Sequence, residues 1–438
     1  MRSKALLLPF SLPLLLSLAM LPAQAHSEQP KQDDWEDAWG EPWEDDWDSE
    51  APSPWQPISG FVEGALGTRL QSDGAGLPRQ TLGEARARLE SGYRGDTLRG
   101  DLRADLRYDD VVEGWQLDLR ELSVGFGLGD SVEMKLGRQV LTWGTGDYLF
   151  LNDLFPKDWQ AFFSGLDDEY LKAPVNAIKA SYYGSHANLD LTWLPRFEAD
   201  NYLNGERFSV YSPVVDGPVA PGFEADEPSD EALAARLYGQ RGSAEWAVYG
   251  YWGYTGSPEA VDEQGQPSFT RLNAYGASVL MPLGPGLWNL EGAWHDLQDQ
   301  DGTVAGVPAD KLMLLTGYQM ELVSQLTLGV QYQWEHLTDY SQWLAAQPYP
   351  DKQPEQDRHL LTLRLDYRAL QERLTLSMFG FYSPTDQDVY LRPQIGYRHD
   401  DRWSFAAGLN LLDGKHNHTF FGQLADNSNA WLRIRYHY

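Results

Sequence analysis

The 438-residue chain contains no cysteine. This excludes disulfide bridges, a lipid attached through a cysteine, and any haem or metal site built on thiolates. Beyond residue 25 the chain also lacks an apolar stretch near the ~20 residues that a membrane-spanning helix needs. Lysine and arginine number 34 against 64 aspartates and glutamates, and the net charge of −30 argues against nucleic acid as a partner.

Residues 1–25 have the three parts of an export signal. Arg2 and Lys4 give a positive start, residues 5–20 an apolar run, and residues 23–25 (AQA) a small-x-small cleavage site. We therefore predict a signal peptide over 1–25. Two classes remain for the exported chain: a periplasmic or secreted β protein, and an outer-membrane barrel that crosses lipid with strands.

Alternating side chains favour the barrel. In the stretch LRGDLRADLRY (98–108), leucine, glycine, alanine and tyrosine fall on one face, while arginine and aspartate fall on the other. Residues 326–335, 361–368 and 431–438 repeat the pattern. A soluble sandwich also alternates, but its polar face rarely carries a full row of charges. Apolar-out, polar-in units of about ten residues are typical of membrane barrels.

The pattern predicts eighteen antiparallel strands, or sixteen if one hairpin is misassigned. Their predicted starts are residues 58, 81, 97, 115, 131, 176, 187, 231, 244, 269, 286, 311, 325, 358, 372, 387, 402 and 430. Links after even-numbered strands are short, and most links after odd-numbered strands are long. In outer-membrane barrels the short turns are periplasmic and the long loops external. The sequence thus predicts an all-β transmembrane antiparallel barrel over 58–438, in the outer membrane of a Gram-negative bacterium.

The last strand, WLRIRYHY, ends on the aromatic Tyr438. It is similar to the terminal signal that the barrel-assembly machinery recognises in outer-membrane proteins. We therefore expect Tyr438 to be an assembly signal, with that machinery and outer-membrane lipid as partners.

An acidic extension at 26–57 precedes the first predicted strand. Within it, residues 33–50 (DDWEDAWGEPWEDDWDSE) carry an indole every fourth residue: Trp35, Trp39, Trp43 and Trp47. Acidity and interrupting prolines predict disorder, yet indoles bury a large apolar area when a partner supplies a surface. Three interpretations stay open: a plain linker, a segment that binds a periplasmic protein, and a plug for the barrel.

Eleven arginines fall on the predicted inner face: Arg86, Arg88, Arg99, Arg103, Arg107, Arg120, Arg364, Arg368, Arg392, Arg433 and Arg435. They lie on predicted strands 2–4 and 14–18, which become one wall if the last strand pairs with the first. A row of permanent cations would guide an anionic solute. The alternative is structural, because carboxylates such as Glu84, Asp101 and Asp105 are interleaved and could form bracing ion pairs.

The long link at 144–175 is rich in aromatic side chains, including Tyr148, Phe150, Trp159 and Phe162. A link this apolar is poorly suited to water. We predict that it folds inward as a constriction or lining.

The stretch LGRQVLTWGTGDYLFLNDLFPKD (136–158) resembles a pattern found in outer-membrane porin-like barrels, including the alginate-export type and its uncharacterised relatives. The matching residues are Gly137, Arg138, Gln139, Trp143, Gly144, Asp147, Asp153 and Pro156. The resemblance implies an eighteen-stranded barrel that passes or exports a solute or polymer.

The sequence contains no GxSxG or HExxH motif, and two histidines at 416 and 418 lack a third ligand. We therefore predict no enzyme activity, no metal and no cofactor. The expected function is an outer-membrane channel for a solute or polymer, with anions as candidates. The alternative is a closed scaffolding barrel whose acidic tail docks a periplasmic partner.

Overall fold

The computed structural model describes residues 53–262, 265–297 and 302–438. The predicted signal peptide (1–25), most of the predicted extension (26–57) and its four indoles at Trp35, Trp39, Trp43 and Trp47 lie outside these residues. The last residues before the first strand are described. Trp55 pairs with Tyr93, and their rings meet edge to face with centroids 5.0 Å apart.

In the described part of the chain, eighteen strands form one antiparallel sheet that closes on itself because the first strand pairs with the last. The strands are β1 Ser59–Arg69, β2 Gln80–Arg94, β3 Leu98–Asp109, β4 Gly114–Leu128, β5 Val132–Val140, β6 Pro174–Tyr183, β7 Asn188–Leu194, β8 Ala232–Arg241, β9 Ala244–Tyr254, β10 Arg271–Leu283, β11 Gly286–Leu297, β12 Lys311–Val323, β13 Leu326–Leu337, β14 Asp357–Ala369, β15 Leu374–Ser383, β16 Asp388–Arg398, β17 Trp403–Gly414 and β18 Asn429–His437.

The predicted barrel and its eighteen strands are confirmed, and each strand starts within two residues of its predicted position. The predicted alternation of links is also present. For example, two residues join β8 to β9, whereas residues 195–231 join β7 to β8. The barrel therefore has a short-turn rim, formed by the links after even-numbered strands, and a long-loop rim, formed by the links after odd-numbered strands.

The two faces of the barrel sheet carry apolar and charged side chains in the opposite arrangement to that of a soluble protein. Leu66 and Leu117 face outward and are 58% and 73% exposed, whereas Glu63, Arg86 and Arg88 face inward and are buried. Large apolar side chains normally lie inside a soluble protein and charged ones outside. An apolar exterior around a charged interior is suited to lipid.

The links carry short elements. The α-helices are α1 Trp159–Ser164 and α2 Tyr340–Ala346, and short 3₁₀ segments occupy Asp168–Leu171, Pro350–Lys352 and Gly422–Asn427. Two small hairpins pair Val210–Ser212 with Gly217–Val219 and Ala260–Val261 with Pro267–Ser268. None of the helices in the described ranges is long and apolar enough to cross a membrane.

The segment between β5 and β6, residues 141–173, folds into the barrel as the sequence predicted for 144–175. Phe162 and Phe163 of this inward loop are buried and pack against Phe381 and Tyr390, which belong to β15 and β16. A backbone segment inside a barrel must find partners for its polar groups. Side chains of the barrel strands supply many of these partners.

Candidate channel lumen

The eleven predicted arginines lie on β2, β3, β4, β14, β16 and β18. Because β18 pairs with β1 and β1 pairs with β2, the two groups of strands join into one continuous surface. These arginines together form the arginine wall of the lumen.

Carboxylates of the same strands and of β1 brace part of this wall. Arg86 contacts Glu84 and Asp105, each at 2.7 Å, and Arg88 contacts Asp105 at 2.6 Å. Further pairs are Arg103 with Glu90 at 3.0 Å, Arg107 with Asp118 at 2.5 Å, Arg364 with Asp366 at 2.6 Å and Arg435 with Glu63 at 2.8 Å. The structural interpretation of the arginines therefore has direct support.

A second set of carboxylates comes from the inward loop. Asp167, Asp168 and Glu169 form an acidic strip at its 3₁₀ turn. Asp167 contacts Arg433 at 3.2 Å, Asp168 contacts Arg392 at 2.8 Å, and Glu169 contacts Arg88 at 2.7 Å. Successive side chains of a 3₁₀ turn point about 120° apart, so three neighbours can reach three different strands. The strip fastens the loop to the arginine wall.

Tyr170 follows the acidic strip and lies among three guanidinium groups. Its ring centroid is 3.8 Å from the Arg86 guanidinium carbon, 4.8 Å from that of Arg120 and 5.1 Å from that of Arg88. Arg88 also donates a hydrogen bond to the Tyr170 hydroxyl at 2.7 Å. Burial raises the pKa of Tyr170, so the ring stays neutral and its face remains a partner for the cations.

Asp167 of the acidic strip keeps its negative charge at neutral pH. Burial alone would raise the pKa of Asp167, but the guanidinium groups of Arg433 and Arg435 lower it below its usual value. Tyr148 of the same loop donates a hydrogen bond to Asp168 at 2.5 Å. The contact between Asp167 and the arginine wall is therefore ionic at physiological pH.

Other arginines of the wall stay accessible. Arg99 is 65% exposed at its side chain, and its contact with Glu133 is long at 3.3 Å. Arg368 is exposed and has no side-chain partner among the described residues. Both lie near the short-turn rim, because β3 begins there and β14 ends there. The inward loop covers much of the rest of the wall.

The motif residues have structural roles at the base of the inward loop. Gly137 has a φ of 118°, and a Cβ there would lie 2.2 Å from the Leu122 carbonyl oxygen. Arg138 donates to the Leu119 carbonyl at 2.7 Å and contacts Glu198 at 2.8 Å. Gln139 is buried and donates to the Ala177 carbonyl at 3.2 Å.

The next motif residues fasten the loop to β11 and β14. Glu291 is buried and accepts hydrogen bonds from the Thr145 amide at 2.6 Å and the Asn152 side chain at 2.9 Å. Gly144 has a φ of 82°, and a Cβ there would lie 3.0 Å from the Glu291 carboxylate. Asp147 contacts Arg364 at 3.1 Å. These contacts fix the direction in which the loop enters the barrel.

The remaining motif residues close the base of the loop. Trp143 packs edge to face on Phe155, with ring centroids 4.9 Å apart. Asp153 accepts a hydrogen bond from Thr142 at 2.8 Å and contacts Lys157 at 3.2 Å.

Cavities flank the inward loop from both rims. At the long-loop rim, cavities of about 570 Å³ and 710 Å³ include Trp159 and Leu166 of the loop in their linings. Toward the short-turn rim, a cavity of about 310 Å³ is lined by Asp167 together with Arg373 and Arg398. The loop thus separates space on its two sides and narrows the lumen.

Metal ligation is not indicated in the described ranges. No group of three or more histidine, aspartate or glutamate side chains there is arranged to hold a metal ion. His416 and His418 have ring centroids 5.6 Å apart, without a third ligand of that kind.

Sequence reasoning did not identify the acidic strip or Glu291 as functional residues. Three consecutive carboxylates in an otherwise aromatic loop were a usable signal for the strip. Glu291 gave no signal, because its partner Thr145 lies 146 residues away in the chain.

A closed eighteen-stranded antiparallel barrel with an apolar exterior, a charged interior and a loop folded inside is the architecture of porin-like outer-membrane barrels. Among solved structures, the chain is similar to Acinetobacter baumannii OccAB1, with a TM-score of 0.53 and 11% identity over 89% of this chain and 98% of that one.

Two Pseudomonas aeruginosa structures are similar in the same way. OccK2 (OpdF), solved in complex with glucuronate, has a TM-score of 0.53 and 12% identity over 87% of this chain and 96% of that one. OccD3 (OpdP) has a TM-score of 0.51 and 11% identity over 89% and 92%. At these identities the likeness shows a common fold. No protein family and no curated protein matches the sequence.

Proposed function

We propose that this protein is a channel in the outer membrane of a Gram-negative bacterium, and that it passes small hydrophilic solutes with a preference for anions. The observation that carries the proposal is the arginine wall. It lines the inside of the barrel, and its members Arg99 and Arg368 are accessible. Guanidinium groups stay charged in any environment and bind carboxylates well. A row of them lowers the cost of moving a negative solute through a narrow pore.

Sugar acids are the solute class that we propose. OccK2, which shares the fold, was solved in complex with glucuronate. The stretch at 136–158 resembles the alginate-export type of barrel, and alginate also carries carboxylates on sugar rings. The resemblance to that type stays a prediction. Glucuronate and alginate share the same chemistry, a carboxylate on a sugar ring.

A specific observation favours a second candidate, a closed scaffolding barrel. Many arginines of the wall have carboxylate partners within 3.3 Å, from the strands or from the acidic strip. In this alternative the pairs brace the barrel, and residues 33–50 bind a periplasmic protein through Trp35, Trp39, Trp43 and Trp47. Changing the four indoles to serine should then abolish capture of that protein while leaving barrel assembly intact.

The test of the channel is a bilayer recording under a salt gradient. We expect the wild type to conduct with a reversal potential on the anion side, and R99Q/R103Q/R368Q to shift that potential toward cations because accessible positive charge is removed. The matched control is R271Q, which removes an exposed arginine that pairs with Asp230 at the long-loop rim. A wild-type protein that assembles but passes no current would replace the channel with the scaffold.

A further inference from the structure

The cavity of about 570 Å³ at the long-loop rim has two chemically different sides. One side belongs to the links and is aromatic, with Phe150, Trp159, Tyr202, Phe223 and Phe420 in the lining. The other side belongs to strands β11–β14 and is polar, with His295, Lys311, Gln333, Glu335 and Arg358 in the lining. This space is the aromatic cavity. An apolar surface facing a few polar groups is typical of small-molecule sites.

The aromatic side is fixed by contacts of its own. Trp159 donates from its indole nitrogen to Asp200 at 2.9 Å, and Ser257 donates to the same carboxylate at 2.8 Å. Tyr202 and Phe223 stack with ring centroids 5.6 Å apart and an interplanar angle of 19°. These rings are held in place without a ligand, so little ordering would be needed on binding.

Three polar side chains of the lining have no hydrogen-bond or ion-pair partner among the described residues: Gln333, Glu335 and Gln423. Gln333 is only 9% exposed. Glu335 and Gln423 are half-buried, so the polar atoms of the three side chains are open to the cavity. Two amides and one carboxylate around a shared cavity indicate a polar ligand.

Lys311 and Arg358 of the lining each have a carboxylate partner. Lys311 contacts Glu259 at 3.2 Å, and Arg358 contacts Asp386 at 2.5 Å. The Nη2 atom of Arg358 has no hydrogen-bond partner among the described residues. The groups left for a ligand are therefore two amides, a carboxylate and one guanidinium N–H, which hydroxyl groups satisfy as both donors and acceptors. A pyranose ring offers such hydroxyls at its edge and apolar C–H groups on its face.

We infer that the aromatic cavity is a binding site for a pyranose sugar, which is recognised by its ring and hydroxyls rather than by a carboxylate. The inference deepens the proposed function and rests on it for the route that the sugar then takes. A sugar acid would bind here by its ring and meet the accessible arginines of the lumen only afterwards.

Titration calorimetry of the full-length protein in detergent tests the site with three probes: maltose, glucuronate and glutamate. We expect maltose and glucuronate to bind the wild type more tightly than glutamate does, because glutamate has carboxylates for the arginine wall but no ring for the aromatic cavity. Binding of glucuronate and glutamate without maltose would overturn the inference, since the carboxylate would then be what is recognised.

Two variants locate the site. E335A removes a carboxylate that accepts no hydrogen bond from the described residues, and F420A removes an aromatic side chain that is 45% exposed. Each should weaken maltose binding about tenfold, the effect of one lost hydrogen bond to a charged group or one lost aromatic contact. The control Y382A changes an aromatic residue of similar exposure, 49%, outside the cavity, and should bind maltose as the wild type does.

Wild-type affinity in both E335A and F420A would place the sugar elsewhere and overturn the inference. Calorimetry needs no open pore, so the two proposals fail separately. A protein that binds maltose at this site but passes no current loses the channel and keeps the sugar site. A protein that conducts but binds no sugar keeps the channel and loses the sugar site.

Discussion

At the scale of single residues, one buried carboxylate holds the start of the inward loop. Glu291 accepts hydrogen bonds from the backbone amide and hydroxyl of Thr145 and from the backbone amide and side chain of Asn152. The loop lies inside the barrel, where an unpaired backbone amide is costly. Glu291 therefore satisfies backbone amides of the loop, as the carbonyl groups of a neighbouring strand do in a sheet.

We predict that E291A loosens the loop without preventing barrel assembly. Leaving these donors unpaired costs about 1–3 kcal/mol for each group. The free energy needed to open the inward loop locally should fall by about this amount. Trypsin should then cleave after Lys157, which is buried in the wild type. Cleavage is followed by mass spectrometry of protein in detergent.

The control for this experiment is E321A, whose carboxylate accepts a hydrogen bond from Gln325 in an exposed turn. Its cleavage pattern should match that of the wild type. If E291A also resists trypsin at Lys157, Glu291 is not what holds the loop.

Residue positions on the wall were predictable, whereas their partners were not. Alternation with a period of two is a local property, so it assigned Arg99, Arg103 and Arg107 to one face without a structure. The pairing of Arg392 with Asp168 joins residues 224 positions apart. This pairing depends on how far the inward loop extends into the barrel, and the sequence carries no local signal for that distance.

At the scale of elements, strands and links were predictable because each repeats a local pattern. Short turns and alternating strands fix the hairpins, and the aromatic content of 144–175 indicated a loop that avoids water. The short 3₁₀ turn at Asp168–Leu171 was not predicted, since four residues give too little periodicity to recognise.

The two rims give a prediction about orientation in the membrane. Long loops face outward in outer-membrane barrels, so epitope tags inserted after Gly76 or Val215 should be labelled by antibody on intact cells. Both positions lie in links after odd-numbered strands, and Gly76 has open space around it. Labelling is measured by flow cytometry.

Tags after Gly129 or Gly242 are the matched controls, because both glycines lie in short turns with open space around them. They should be labelled only after the cells are permeabilised. The opposite pattern, with short turns labelled on intact cells, would invert the orientation.

At the scale of the whole molecule, the barrel combines a lipid-compatible exterior with an interior where charges of both signs meet. The arginine wall supplies the cations, and the acidic strip of the inward loop supplies carboxylates that pair with them. This arrangement narrows the lumen and removes positive charge from its middle. In the channel that we propose, we therefore expect the balance between the arginine wall and the acidic strip to set both the size and the ion preference of the pore.

The most direct test of this account is a comparison of single-channel recordings from the wild type and D167N/D168N/E169Q. The substitutions keep side-chain size but remove the charges that bind Arg433, Arg392 and Arg88. We predict a larger conductance and a reversal potential shifted further toward anions, because the wall is freed and the loop loosened. D216N, which neutralises an exposed carboxylate of a long loop, should leave both unchanged. Identical conductance and reversal potential in the triple variant and the wild type would contradict the account.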